Sequence, residues 1–168
     1  MTHDLHLRKV AQADLPVFFE HQRDPDSTRM AAFPARDRDA FLAHWAKILA
    51  DATVITRAIA FEGQVAGNVV CWEHEEERDI GYWIGREFWG RGIATLALAE
   101  FLRQVQVRPL HAHVAKHNLA SIRVLEKCGF ARCGEGDGIS VPGEGTVGEY
   151  ILMLGGPPEA IEGAETLP

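Results

Sequence analysis

The sequence lacks any long apolar run, and nothing in it approaches the roughly 18 consecutive apolar residues that a membrane-spanning helix requires. Residues 1–4 also lack the basic stretch followed by an apolar one that opens a signal peptide. Cysteine is scarce: Cys71, Cys128 and Cys133 are odd in number and show no CxxC spacing, which favours reduced thiols. These absences predict a cytoplasmic protein without a membrane partner.

An excess of basic residues is missing too. The 168-residue chain carries 17 Lys and Arg against 24 Asp and Glu, a formal net charge of -7. Nucleic-acid binders present a basic face to the phosphates, so this balance predicts no nucleic-acid partner. A cationic acceptor such as an amine suits the charge. Hydrophobic residues make up 46% of the chain, which allows a real core, and the length suits one domain.

Hydrophobic patterning predicts an α+β fold with a mixed sheet, antiparallel first and partly parallel later. Strands are predicted over residues 5–10, 53–61, 65–72, 79–84, 110–114, 130–133 and 149–154, and helices over 11–22, 37–49, 93–105 and 118–127. Segments 23–35 and 134–148 are predicted to be loops, because prolines break the first and glycines fill the second. We expect one domain over 1–154 and a tail over 155–168. A homodimer in which the neighbouring chain holds this tail is left as an open alternative.

A glycine turn, Gly90-Arg91-Gly92, lies between a predicted strand and a helix that begins at Ile93. The first amides of a helix lack partners and carry partial positive charge, so phosphate oxygens suit them. Glycine lets the backbone approach such a ligand closely and adopt a positive φ. The motif is neither a P-loop nor the dinucleotide GxGxxG, since Thr95 stands where the third glycine would be. A plain strand-to-helix turn remains the alternative.

A second distinctive stretch is NLASIRVLEKCGF over residues 118–130. Asn118 is a good N-cap, and Ser121 lies three residues on, so it faces the same side of the helix. Two polar groups in this position suit a ligand that passes between the preceding strand and the helix. Ordinary helix capping is the alternative.

Together with IGYWIG over 80–85 and EFWGRGIAT over 87–95, these stretches resemble the GNAT superfamily of acetyltransferases, in the branch with ribosomal-protein N-terminal acetyltransferases and many small-molecule acetyltransferases. The likeness covers nearly the whole chain, from Leu5 to Leu154. It implies a mixed, mostly antiparallel central sheet with a splay between two strands and about four flanking helices. The implied activity is direct transfer of an acetyl group from acetyl-CoA to a primary amine in a ternary complex.

The resemblance also implies how the cofactor binds. The pantetheine arm would pair with the backbone of Trp83 and Ile84, and the pyrophosphate would lie on the amides of the glycine turn. Two departures stand out: Glu87 replaces the Gln or Arg that often opens the family's loop, and Leu125 occupies the position of a tyrosine acid that many members carry. The implied cofactor contacts are Trp83, Ile84, Trp89, Gly90, Arg91, Gly92, Ile93, Ala94, Thr95, Asn118 and Ser121.

Catalysis needs a group that takes the proton of the acceptor ammonium, and a carboxylate suits this task. The candidates are Glu73 and Asp79, at the adjoining ends of neighbouring strands. Ser121 is the candidate for the group near the departing thiolate, and Tyr82 is expected to line the acceptor pocket. Backbone amides near Trp83 and Ile84 suit the developing oxyanion.

Some alternatives are set aside and others stay open. His111, His113 and His117 invite a metal interpretation, but the stretch shows no obvious carboxylate to support the ligands and GNAT chemistry needs no metal, so none is expected. Cysteine catalysis is not expected either, because Cys71 and Cys128 lie where cysteine acts as a small apolar residue. An acyl-CoA sensor or scaffold without turnover remains the alternative function. The acceptor stays open among a peptide N-terminus, an amino acid, a polyamine and an antibiotic.

Overall fold

The computed structural model describes residues 4–141, 143 and 145–155, and within them the α+β prediction is confirmed: seven strands form one sheet, flanked by five α-helices and two short 3-10 helices. The strands are β1 Leu5–Arg8, β2 Ile55–Phe61, β3 Gln64–His74, β4 Glu77–Ile84, β5 Leu110–Ala115, β6 Ala131–Val141 and β7 Gly145–Leu154. The α-helices are α1 Leu15–Arg23, α2 Pro25–Ala31, α3 Arg38–Ala50, α4 Ile93–Gln104 and α5 Leu119–Lys127, and the 3-10 helices are Gln12–Asp14 and Arg86–Phe88. In this part of the chain no helix is long and apolar enough to cross a membrane. The predicted tail lies outside the described residues beyond Gly155.

The sheet is mixed, with the order β1-β2-β3-β4-β5-β7-β6. Neighbouring strands are antiparallel except β4 and β5, which are parallel. In the described chain, Asp79 opposite His111 is the single residue pair that joins β4 to β5. The two strands therefore meet at one point and leave the rest of β4, up to Ile84, without a partner on that side.

Each face of the sheet carries its own apolar cluster. On one face, Ile80 of β4 packs in a cluster with buried residues of the two later helices, among them Leu98 of α4 and Leu125 of α5. On the other face, Phe18 of α1 and Trp45 of α3 pack together with residues of β2 and β3. We call these the α4–α5 face and the α1–α3 face. Because side chains alternate along a strand, successive residues of β4 point to different faces.

The segment 23–35 contains a helix, α2, so the predicted loop is wrong there. The Asp24 carboxylate accepts a hydrogen bond from the Ser27 amide at 3.0 Å, which caps the helix. Pro25 occupies the first helical position, where its missing amide hydrogen costs nothing. Proline therefore begins a helix here and does not break one.

The predicted glycine-rich loop over 134–148 is also wrong, because β6 continues to Val141 and β7 begins at Gly145. The ladder between these strands is irregular, with register shifts after Arg132 and Gly136. Gly138, with φ 74°, lies within the second shift. Glycines relieve such bulges because they tolerate unusual backbone angles, so they permit a long bent hairpin.

Asp14 ties the first strand to the first helical turn. Arg8 donates two hydrogen bonds to its carboxylate, at 2.7 and 2.9 Å, and the Ala11 amide donates a third at 2.7 Å. The hydrogen bond from Arg8 is the main cause that lowers the pKa of Asp14; burial opposes it, and the Ala11 amide lowers the pKa further.

We expect Asp14→Asn to lower the free energy of unfolding at neutral pH by about 1–3 kcal/mol, the range for hydrogen bonds to charged groups. The folded pKa lies below the ordinary value of 3.8, so this stabilisation is present above pH 3.8 and is lost as the pH falls further. Urea denaturation at pH 7 and pH 3 measures the difference, which should shrink at pH 3. Asp39→Asn, in the first turn of α3, is the control, and an equal loss of stability in both variants would contradict the role given to Asp14.

Candidate functional site

The turn before α4 presents an open backbone at a helix N-terminus. Gly90 and Gly92 have φ of 72° and 74°, which favour glycine, and a Cβ on either would meet nothing within 4 Å. Gly92 is the N-cap of α4, and in the described residues no side chain caps the helix. The amides of the first turn, at Ile93, Ala94 and Thr95, therefore have no side-chain cap among the described residues, and amides in this position of a helix suit an anion.

Two side chains hold this turn against the sheet. The indole nitrogen of Trp89 donates to the Ile84 carbonyl at 3.0 Å, which joins the turn to the end of β4. The Arg91 guanidinium lies 5.0 Å from the ring centroid of Phe61 and 3.9 Å from a carboxylate oxygen of Glu62. Arg91 thus stacks on the sheet and is about half exposed, so a phosphate ligand would have to draw it from this position.

The end of β4 lies in the middle of the sheet but has a strand partner on one side only. Trp83 pairs with Asn68 and Ile84 pairs with Gly67, both on β3. On the β5 side, no residue pair beyond Asp79 is present in the described part of the chain. An extended ligand with amide groups can occupy such a gap and form the hydrogen bonds of a missing strand.

On the α4–α5 face, Tyr82 meets the start of α5. Its hydroxyl lies 2.6 Å from the Ser121 hydroxyl. The Asn118 side-chain oxygen caps the helix by accepting a hydrogen bond from the Ser121 amide at 3.3 Å. Burial raises the pKa of Tyr82 to about 12, although the hydrogen bond with Ser121 opposes the shift. Tyr82 is therefore a neutral phenol at neutral pH, and its partner is Ser121 beside the gap.

On the α1–α3 face, Asp79 is buried among histidines. Its carboxylate oxygens lie 3.5 Å from His74 Nδ1 and 3.9 Å from His113 Nε2. Burial raises the pKa of Asp79, while His113, His74 and His111 act in the opposite direction. His113 Nδ1 donates to a carboxylate oxygen of Glu149 at 2.9 Å. Asp79 thus lies at the closed end of the gap, on the face opposite Ser121.

Glu73 lies elsewhere. It pairs with Arg78 in the strand register, and a guanidinium nitrogen of Arg78 lies 3.2 Å from its carboxylate. Two residues before it, Cys71 is buried in the cluster on the α4–α5 face, so Glu73 points to that face. The two predicted base candidates, Glu73 and Asp79, are therefore not brought together.

A groove of about 430 Å³ lies beside the short helix that follows β4. His21 of α1 lines it, and a Cβ on Gly85 would come within 2.6 Å of its ring, so glycine makes room for this histidine. Burial lowers the pKa of His21, against an opposing effect of Glu87 3.8 Å away. Among the described residues neither ring nitrogen has a hydrogen-bond partner. No sequence motif marks His21, because it occupies one position of an amphipathic helix.

A larger groove, about 580 Å³, lies around Lys9, Thr56 and Val107 and shares no lining residue with the site described above. The glycine turn and the gap instead lie side by side at the end of β4, joined by the hydrogen bond from Trp89 to Ile84. The structure thus has a mixed sheet that splays at one parallel pair, with an open turn at a helix N-terminus beside the splay, which is the arrangement that the resemblance to the GNAT superfamily implies.

Comparison with known proteins gives the family. Residues 4–131 match the family described as "Acetyltransferase (GNAT) domain", and the chain belongs to this family. A Bacillus subtilis (strain 168) protein, YdaF, provisionally named a ribosomal N-acetyltransferase, is 27% identical over 114 residues, which cover 63% of this chain. The match spans only 62% of the length of that relative.

Solved structures show the same fold at low identity. A spermidine N-acetyltransferase from Vibrio cholerae, in complex with CoA and spermine, has a TM-score of 0.76 and 17% identity, covering 88% of this chain and 94% of that one. RimL, a ribosomal-protein alpha-N-acetyltransferase in complex with coenzyme A, has a TM-score of 0.75 and 16% identity, covering 89% and 93%. A GNAT-family acetyltransferase from Bacillus anthracis has a TM-score of 0.74 and 19% identity, covering 89% and 93%.

Proposed function

We propose that the chain is an N-acetyltransferase that moves an acetyl group from acetyl-CoA to a primary amine by direct transfer in a ternary complex. The observation that carries this proposal is the open Gly90–Gly92 turn at the N-terminus of α4, beside the unpaired end of β4. Membership of the acetyltransferase (GNAT) family and relatives that hold CoA support it.

In this proposal acetyl-CoA occupies the turn and the gap. The pyrophosphate accepts hydrogen bonds from the amides of the first turn of α4, with Arg91 as a mobile cation near it. The pantetheine arm continues along the backbone of Trp83 and Ile84, which keeps the thioester between the two faces. Trp89 holds the end of the strand in place, and Asn118 acts by positioning Ser121. The full set of proposed contacts is Trp83, Ile84, Trp89, Gly90, Arg91, Gly92, Ile93, Ala94, Thr95, Asn118 and Ser121.

The acceptor amine approaches from the α1–α3 face, and we assign the role of base to Asp79. Its carboxylate is buried on that face, and its raised pKa suits a group that takes up a proton. Glu73 is exposed on the opposite face beside Arg78, so we give it no part in the reaction. The amine donates its proton, and its lone pair attacks the thioester carbon.

On the α4–α5 face the Tyr82–Ser121 pair stabilises the departing thiolate. The Tyr82 hydroxyl donates to the Ser121 hydroxyl at 2.6 Å, and the Ser121 hydroxyl in turn donates a hydrogen bond to the sulfur, which leaves as the thiolate and takes its proton from solvent. Tyr82 thus assists the leaving group in this proposal, where the sequence analysis expects it in the acceptor pocket. No step of this transfer needs a metal ion or another cofactor.

The acceptor class is a primary amine, on a small molecule or a peptide N-terminus. Relatives named as spermidine and ribosomal-protein acetyltransferases support this class, and the acidic chain suits a cation. We further propose one acetyltransferase domain over residues 1–154 with a tail over 155–168. The proposed location is the cytoplasm, and the proposed oligomeric state is a homodimer.

Calorimetry with acetyl-CoA, followed by release of free CoA thiol with a panel of amines, tests the proposal. We expect one cofactor per chain and turnover with at least one of spermidine, an amino acid or a short peptide with a free N-terminus. Cofactor binding without turnover on any amine would indicate a sensor or scaffold instead. Absence of acetyl-CoA binding would contradict the proposal as a whole.

A further inference from the structure

Three potential metal ligands, Glu77, Asp79 and His111, converge where β3, β4 and β5 adjoin on the α1–α3 face, and His74 and His113 flank them beside Asp79. Strand register places them there: His74 pairs with Glu77, and Asp79 pairs with His111. His113 lies two residues further along β5, on the same face. We call these five residues the histidine–carboxylate cluster. Within it, ligand atoms of Glu77, Asp79 and His111 all lie within 4.8 Å of one another.

The distances within the cluster exceed those of hydrogen bonds. A nitrogen–oxygen hydrogen bond spans about 2.7–3.2 Å, whereas His74 to Asp79 is 3.5 Å, His111 to Glu77 is 3.6 Å and His113 to Asp79 is 3.9 Å. Two ligands that each lie about 2.1 Å from a tetrahedral ion are about 3.4 Å apart. The spacing therefore suits donors that share an ion better than donors bonded to each other.

Two buried atoms of the cluster are left without a hydrogen bond. Asp79 Oδ1 and His111 Nδ1 have no partner among the described residues. The Asp79 side chain is only 6% exposed, so solvent does not readily serve this oxygen. Leaving buried polar atoms unpaired destabilises the folded state, and a shared cation removes this penalty.

Glu149 supports the cluster from β7. It accepts a hydrogen bond from His113 Nδ1 at 2.9 Å, which leaves Nε2 of the same ring directed to Asp79. A carboxylate that orients the ring of a ligating histidine in this way is a common feature of metal sites. This is the supporting carboxylate that the sequence analysis did not find near His111 and His113.

We propose that the histidine–carboxylate cluster binds one divalent transition-metal cation of the zinc type. Glu77, Asp79 and His111 form its centre, and His74 and His113 complete the set of ligands. Imidazole nitrogens with carboxylate oxygens favour zinc or cobalt over magnesium, which prefers oxygen donors alone. The site shares Asp79 with the proposed transfer reaction, so a bound cation would compete with the amine proton for this carboxylate.

His117 does not belong to the site. Its Nε2 donates to the Arg29 carbonyl at 2.9 Å, so the third histidine of the sequence motif contacts α2 instead. The third histidine near Asp79 is His74 of β3, not His117. His117 therefore serves as a matched control.

The test titrates the full chain, freed of metal by a chelator and without acetyl-CoA, with Co²⁺ followed by absorption spectroscopy and with Zn²⁺ followed by calorimetry. We expect one ion per chain, visible absorption typical of four- or five-coordinate Co²⁺, and no comparable binding of Mg²⁺. His111→Ala should weaken binding by more than tenfold, and Glu149→Gln by about tenfold or more. His117→Ala should bind like the wild type.

His74→Ala separates loss of a ligand from loss of the fold. The His74 side chain is 59% exposed, so its removal should leave the core intact. Weaker Co²⁺ binding by this variant, with an unchanged melting temperature and acetyl-CoA affinity, would support the site. Less than one ion per chain in the wild type, or equal binding by wild type, His111→Ala and His74→Ala, would overturn it. Neither result depends on acetyl transfer, so failure of this proposal is distinct from failure of the proposed function.

Discussion

Replacing Gly92 by glutamate is expected to abolish acetyl-CoA binding. Gly92 adopts a left-handed φ of 74° at the N-cap of α4, and a Cβ there points into open space, where the pyrophosphate is proposed to lie. A glutamate at this position strains the backbone, fills that space and repels the phosphates. Loss of several charge-assisted hydrogen bonds predicts affinity weaker by about 100-fold or more. Calorimetry on both proteins measures the change.

Gly145→Glu is the matched control for this substitution. Gly145 has φ 74°, its Cβ would also meet nothing within 4 Å, and it begins β7. The control introduces the same strain and charge in the β6–β7 hairpin, which contributes no residue to the proposed cofactor site. We expect it to lose stability as Gly92→Glu does, yet to bind acetyl-CoA like the wild type. If both variants bound the cofactor normally, the glycine turn would not be the pyrophosphate site.

Asp79→Asn is expected to have the second largest effect, a fall in kcat of about 10²- to 10⁴-fold, the usual contribution of a general base. The amide keeps the shape of the side chain but cannot take the proton of the amine. Acetyl-CoA affinity should stay unchanged, because Asp79 lies at the closed end of the gap, far along β4 from the glycine turn. Steady-state rates on chelator-treated protein separate this effect from any effect of a bound cation.

Glu73→Gln provides the comparison, since Glu73 is exposed beside Arg78 on the other face of the sheet. It should turn over at the wild-type rate. A normal rate in Asp79→Asn would show that Asp79 is not the base. A loss of rate confined to Glu73→Gln would show that the acceptor amine binds on the α4–α5 face instead.

The fold was predictable from the sequence where its signals are local. The amphipathic pattern of α3 and the apolar strands β2 to β4 are read from adjacent residues, and the structure confirms them. The hairpin β6–β7 was not predictable in this way. Its glycines suit both a loop and a bulged strand, and only pairing along the length of the two strands decides between them.

The candidate site was predictable in its parts but not in its arrangement. The glycine turn and the capping by Asn118 follow from short motifs, and both have the expected local geometry. Register between distant strands decides which side chains share a face, and no motif encodes it. For this reason the sequence grouped His111 with His117, whereas the sheet groups it with Asp79 and places Glu149 beside His113.

The single pair between β4 and β5 also bears on the order in which the chain acquires its structure. Strands β2 to β4 are consecutive hairpins, and β6 and β7 form another, so each group can assemble from nearby segments as soon as they leave the ribosome. The parallel contact at Asp79 and His111 needs the whole connection through α4. We therefore expect the meeting of these two units to be the last event of folding, and the proposed cofactor gap is the part of their junction where β4 and β5 stay unpaired.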